Sequence, residues 1–224
     1  LLGVQERVAH PRRERRPLIG RDAEWTQARR VADEALTGRG QILVLDGDVG
    51  MGKSRFIEEL VAYWGGQGAT AYAVTCPSYG RHTPYLPWIE LLRRLFGLRE
   101  ADSDQVKQEK IESRLRAVNP IWVEWAALVG NLLGVPIPES DLLRSLDAKL
   151  RQQGLFRLVT DLVRDEARVR PLLLALDDLQ WADEPSLALL THVGKRIADR
   201  PLLLCAAHRP EMTLPLEAGN RVPC

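Results

Sequence analysis

Apolar residues along this chain follow two distinct patterns. Four runs are short and almost unbroken: Gln41–Asp46, Ala71–Thr75, Pro171–Asp178 and Pro201–Ala207. The first is rich in β-formers and bounded by glycines, which predicts a strand buried on both faces, and the other three also read as strands. Elsewhere the apolar positions recur at helical spacing. Trp25, Ala28, Ala32, Ala35 and Leu36 predict a helix capped by Asp22 and closed by Gly38 and Gly40. Phe56, Ile57, Leu60, Val61 and Trp64 predict a second, stopped by Gly65 and Gly66. Between the last two strands lies a third, with Asp183 as N-cap and Pro185 in its first turn. Strands alternating with helices predict an α/β fold with a parallel sheet flanked by helices.

The middle of the chain departs from this alternation. Residues 77–87 read as a loop, and from Trp88 to about Val169 no strand is predicted. Leu91, Leu92, Leu95 and Phe96 mark one helix, and Ile111, Leu115 and Val118 another. A third covers Trp122–Leu133, and Gly134, Pro136 and Pro138 break the chain after it. A long amphipathic helix then runs from about Asp141 to Val169, interrupted near Gly154. The expected organisation is a linker over 1–17, a core over 18–211 with a helical insert at about 88–169, and an irregular tail over 212–224.

Composition narrows the function classes. The chain has 224 residues, 45% hydrophobic and 27% charged, with a formal net charge of +1. That balance is ordinary for a soluble domain and favours neither nucleic acid nor an anionic membrane. No apolar run approaches the roughly 20 residues of a membrane span. The first residues lack the basic and apolar segments of a signal peptide, and the missing initiator Met is what a piece of a longer chain would show. Cys76, Cys205 and Cys224 are far apart, without metal-site spacing, and read as reduced thiols of a cytoplasmic protein. The basic run His10–Pro17 is assigned to the linker.

The candidate chemistry lies at the strand ends. Gly47-Asp48-Val49-Gly50-Met51-Gly52-Lys53-Ser54 matches the phosphate-binding pattern G-x-x-x-x-G-K-[ST] without a mismatch. The glycines let backbone N–H groups turn inward on phosphate oxygens, Lys53 supplies a cation, and the Ser54 hydroxyl can ligate Mg²⁺. A helix starts here, so its positive end also faces the anion. Asp177 and Asp178 end the third strand, where the first acid holds the metal shell and the second polarises water. An aspartate is shorter than the glutamate common at that second position. Among the following residues, Trp181 is assigned to packing, Asp183 to capping, and Gln180 to orienting water. Arg209, just after the last strand, is the candidate sensor of a γ-phosphate. His10, His82 and His192 are scattered and are not read as ligands.

These motifs together bring a family into view. Leu18–Glu24, the loop with Lys53-Ser54-Arg55, Leu176–Asp183 and His208–Glu211 resemble the STAND branch of AAA-like P-loop ATPases (the ASCE class). The ATPase modules of large LuxR-type regulators and of multidomain class III nucleotidyl cyclases are similar in these segments. The resemblance covers residues 17–211, and the string Asp177-Asp178-Leu179-Gln180-Trp181-Ala182-Asp183 is its most specific part. It implies a nucleotide-controlled switch, closed with ADP and opened or assembled with ATP, whose output lies in other domains of a longer chain. It implies cofactors ATP or ADP with Mg²⁺, and Gly20 and Arg21 near the adenine. It also implies association of copies on ATP binding, with no direct nucleic-acid or membrane contact by this domain. Family sheets place the strand before the loop between the last strand read here and a fifth. After Arg209 no strand is read, so Ile42–Leu45 is expected at a sheet edge, in a truncated module.

The leading expectation is therefore a slow regulatory ATPase. The alternatives are a nucleotide-binding module without useful turnover, a DNA-loading AAA protein, and a small-molecule kinase with the same loop. The DNA-loading reading wants a basic face or winged helix, and neither is legible at this charge. The kinase reading wants an arginine-rich lid and lacks the acidic strand end.

Overall fold

A computed structural model describes residues 20–216 and 220–223. Expectations resting on the linker at 1–17, on Leu18 and Ile19, and on Cys224 lie outside the described residues. In chain order, α1 spans Asp22–Leu36, β1 Gln41–Asp46, α2 Lys53–Gly66 and β2 Thr70–Thr75. The middle holds α3 Leu86–Leu95, α4 Asp104–Val118, α5 Ala126–Leu133, α6 Asp141–Ser145 and α7 Ala148–Val169. The chain then returns to β3 Leu172–Asp177, α8 Glu184–Gly194, β4 Leu202–His208 and β5 Asn220–Pro223.

The five strands form one parallel sheet in the order β2-β3-β4-β1-β5. Successive side chains of a strand point to opposite faces, and the two cores divide accordingly. Leu43 and Leu45 of β1, Leu173 and Ala175 of β3, and Leu203, Cys205 and Ala207 of β4 pack under α1 and α2. Their neighbours Ile42, Val44, Leu172, Leu174, Leu202 and Leu204 face the larger core under α3–α8. The unbroken apolar runs of β1, β3 and β4 thus reflect burial on both sides, whereas β2, at the sheet edge, is mostly half-buried.

One expectation is overturned here. The stretch after Arg209 contains β5, which pairs with β1 in parallel register from Leu43↔Asn220 to Asp46↔Pro223. The strand preceding the phosphate loop is therefore internal, not an edge, and the tail is not wholly irregular. β5 is short and mostly polar, and its one fully buried apolar side chain is Val222. Side chains anchor it further: Gln27 of α1 donates to the Arg221 carbonyl at 3.0 Å, and Asn220 donates to Gln41 Oε1 at 3.2 Å. Pro223 sits where only an outermost strand tolerates it.

Two helix boundaries also differ from expectation. α1 starts at Asp22 without a side-chain cap, so Asp22 serves the positive helix end as a first-turn acid. The break in the 141–169 region falls at Leu146 and Asp147. Ser140 caps α6 and Asp147 caps α7, each accepting from a backbone N–H three residues on. α7 runs straight through Gly154, whose absent side chain admits the Trp125 ring: a Cβ there would lie 1.7 Å from Trp125 Cζ3. Among the described residues, no helix is long and apolar enough to cross a membrane.

Candidate functional site

In a parallel sheet the helix-connecting loops gather at the carboxyl ends of the strands, and ligands bind there. β1 delivers the glycine-rich loop at its carboxyl end. Gly50 and Gly52 take φ of +81° and +88°, a region that costs a side-chain-bearing residue strain but not glycine. Gly52 precedes α2 as an uncapped N-terminal residue, so the first-turn N–H groups of a 14-residue helix face the loop without a side-chain acceptor. Lys53 is buried, and its Nζ donates to the Gly47 carbonyl at 2.6 Å and the Asp48 carbonyl at 2.9 Å. Carbonyls position an ammonium without cancelling its charge.

β3 delivers the acids beside this loop. Asp177 is buried at the strand end and accepts a hydrogen bond from Ser54, so the expected metal ligands already touch. Burial pushes its pKa above the ordinary 3.8. The Asp178 charge pushes the same way, while the Ser54 bond and the Lys53 charge pull down. Its Oδ1 also accepts from the Asp178 N–H at 2.8 Å. Asp178 itself takes a left-handed conformation, φ +57°, rare for a residue with a side chain. A turn of 3₁₀ helix follows over Leu179–Trp181, and Gln180 donates to Asp178 Oδ1 at 2.8 Å. Gln180 is thus held against the acid.

These pieces line one open cavity of about 820 Å³, shared by Lys53, Ser54, Asp178, Trp181 and Arg209 with Val49, Gly50, Gly52, Arg55 and Glu58. Arg209 enters from the residue after β4, its guanidinium carbon 5.5 Å from the centre of the Trp181 ring. Trp181, assigned from sequence to packing alone, is thus part of the cavity wall. Arg55 lies beside it, paired along its own helix with Glu58 at 3.0 Å and with Glu59. Glu58 was missed in the sequence, although it sits four residues past Ser54 and so on the same helix face. Val49 and Met51 are exposed on the loop, and Arg21 Nη2 reaches the Met51 carbonyl at 2.5 Å. Gly20 makes the turn before α1 with φ +73°. His208, by strand alternation, faces away from Arg209. It is buried, with Nδ1 2.7 Å from the Arg209 carbonyl.

Asp183 does more than cap α8. Its carboxylate accepts from Ser186 N–H at 2.9 Å and Ser186 Oγ at 2.6 Å. It also accepts from the Tyr85 N–H at 3.2 Å, just where the middle helices begin. Tyr85 is the second left-handed non-glycine residue, φ +63°. Trp88 Nε1 adds a bond to the Ser186 carbonyl at 3.1 Å. Nothing in the sequence pattern pointed to this link.

A phosphate loop on an internal strand, with an acidic strand end beside it and an arginine lining the same cavity, defines a P-loop NTPase fold. The chain belongs to the AAA ATPase domain family, which it matches over residues 17–205. It is 26% identical over 213 residues to an uncharacterised protein of Rhizobium meliloti (strain 1021). That match covers 91% of this chain and 20% of that protein, so the chain spans about a fifth of its curated relative. Its fold is similar to that of Cdc6p from Pyrobaculum aerophilum, with a TM-score of 0.51 at 14% identity over 95% of this chain and 48% of that one. Aeropyrum pernix ORC2 aligns less closely, with a TM-score of 0.42 at 14% identity over 92% of this chain and 48% of that chain.

Proposed function

We propose that this domain binds ATP with Mg²⁺, hydrolyses it slowly, and acts as a nucleotide-controlled switch within a larger cytoplasmic signalling or transcriptional regulator. The observation that carries this reading is the direct contact between Ser54, which lines the cavity with Lys53 and Arg209, and the buried Asp177 of the strand end.

A hydroxyl and a carboxylate are hard oxygen donors. Two such ligands, with waters and substrate phosphates completing the shell, suit Mg²⁺. The raised Asp177 pKa fits too, because a buried carboxylate short of positive charge gains from a cation. When bound, Mg²⁺ would neutralise phosphate charge. The loop amides and the α2 N-terminus would hold the phosphates, and the Lys53 ammonium would meet their outer oxygens. Asp178 would accept the proton of the attacking water, and Arg209 would meet the terminal phosphate. The Arg21 bond to the Met51 carbonyl supports a base site along Gly20, Arg21 and the outer loop. Val49 and Met51 offer apolar surface there, and Arg55 closes the side of the cavity.

Slow turnover follows from Asp178. Its side chain is short and its carboxylate is already engaged by Gln180. The same observation favours a second reading, binding without useful turnover. Phosphate release separates the two. Slow release by the wild type that disappears in Asp178→Asn supports the ATPase. Release no faster in the wild type than in Asp178→Asn leaves a binding module.

The switch role rests on two supports. The chain matches a fifth of a longer relative, in keeping with other domains as its partners. The bond from Asp183 to Tyr85 ties the acidic strand end to the start of the helical region, a route by which the nucleotide state could move those helices. Association of copies on ATP binding belongs to the same proposal, and sedimentation with ATP against ADP tests it.

A further inference from the structure

We propose that Trp181 is a positioning residue that holds the Arg209 guanidinium for reading the third phosphate of the nucleotide. The inference rests on the ATP site proposed above and adds a residue that the sequence reading had left to packing.

The left-handed Asp178 reverses the chain at the end of β3, and the turn it opens is closed by the Trp181 N–H donating to the Asp178 carbonyl at 2.9 Å. Ala182 N–H closes the next bond to the Leu179 carbonyl at 3.0 Å, and Asp183 then pins the chain to α8. Leu179 is buried beneath the turn. The Trp181 ring is therefore mounted on a short, braced segment.

Arg209 is mounted differently. Its backbone follows β4, whose final pairing with β1 is Asp46↔His208. The base of the side chain is thus held in place, while its several torsions leave the charged head free to wander. The Trp181 ring, 5.5 Å from the guanidinium carbon, supplies the restraint. That distance is within the range of cation–π attraction, and tryptophan is the strongest partner. A carboxylate in the same place would pair with the arginine and cancel the charge needed for phosphate. An aromatic face holds the cation and leaves that charge available. Arg209 and Trp181 line the same cavity as Lys53 and Ser54, and they come from other segments than the loop. A diphosphate held by the loop would engage Lys53 and Ser54, whereas a third phosphate would extend toward Arg209.

The test is the ratio of affinities for a non-hydrolysable ATP analogue and for ADP, each with Mg²⁺, measured by calorimetry on the whole chain. Turnover is not needed. The wild type should prefer the triphosphate. Arg209→Ala should reduce that preference about tenfold or more, the worth of one charge-assisted hydrogen bond. Trp181→Leu keeps an apolar side chain but removes the ring, and should reduce it about fivefold with ADP affinity unchanged. Trp181→Phe should restore it to within about twofold. The double variant should do no worse than Arg209→Ala, because the ring acts only through the arginine. Trp181→Leu retaining the full preference while Arg209→Ala loses it would overturn the inference and leave the nucleotide site standing. So would losses that add in the double variant, or a wild type that binds both nucleotides equally. A wild type that binds neither would overturn the site and the inference together.

Discussion

Asp177 illustrates how a single residue is held for a ligand. Its buried carboxylate has a raised pKa, so the native state keeps its proton to higher pH than the unfolded chain does. Stability from this group is therefore complete below the ordinary value of 3.8 and is lost as pH rises through the raised native value. Asp177→Asn should flatten that pH dependence and raise the melting temperature of the ligand-free domain at neutral pH. It should also abolish Mg²⁺-dependent stabilisation by ATP. Thermal melts across pH, with and without Mg·ATP, check both halves. The residue alphabet made this site legible: the loop pattern and two acids after an apolar run placed Lys53, Ser54, Asp177 and Asp178 together. Trp181 and Glu58 stayed hidden, because a tryptophan in an acidic turn or a glutamate on a helix matches no binding pattern by itself. Cys76 marks the other limit. Burial, then the charges of Asp177 and Asp178, push its thiol up to about 12. It should resist alkylation at neutral pH in the native protein and react after unfolding, as mass spectrometry would record.

At the scale of elements, the apolar runs located the first four strands within a residue or two, and the helical spacings marked residues that lie in or at the ends of helices. Their failures share a cause. β5 is four residues long, with Asn220, Arg221 and Pro223 around a single core residue, so no run announces it. Its place is set by a tertiary partner, the exposed side of β1. Val222→Asp should place an unpaired charge against α1 and β1, at a cost of about 2–4 kcal/mol. Faster hydrogen exchange in β1, together with a lower melting temperature, is the expected result. Gly154 misled in the opposite sense. A glycine inside a helical pattern reads as a break, since it costs about 1 kcal/mol against alanine. Here it is a contact site for Trp125. Gly154→Ala should therefore destabilise despite its better helix propensity, by about 1–3 kcal/mol of overpacking. That corresponds to a fall of a few degrees in melting temperature, at roughly 2–4 °C per kcal/mol for a domain of this size. A rise instead would show that the ring relaxes freely.

At the scale of the whole molecule, a parallel sheet with helices on both faces gathers its loops along one edge. The glycine-rich loop, the acidic strand end and the arginine come from three strands that stand side by side: β1, β4 and β3. That adjacency, more than any one motif, makes a single site from segments up to about 160 residues apart. The alternating pattern anticipated the layers, and the family resemblance named the place beside β1 that β5 fills, although no strand was read there. The link from Asp183 to Tyr85 was invisible in the sequence, because hydrogen bonds between a capping side chain and a distant backbone leave no periodic trace. The most direct test of the account is calorimetric titration of the chain with ATP in Mg²⁺, in parallel with Lys53→Ala. The account predicts one binding site that depends on Mg²⁺ and is weakened about tenfold or more in the variant, as loss of a charge-assisted contact requires. Equal binding by Lys53→Ala, or none by the wild type, would contradict it.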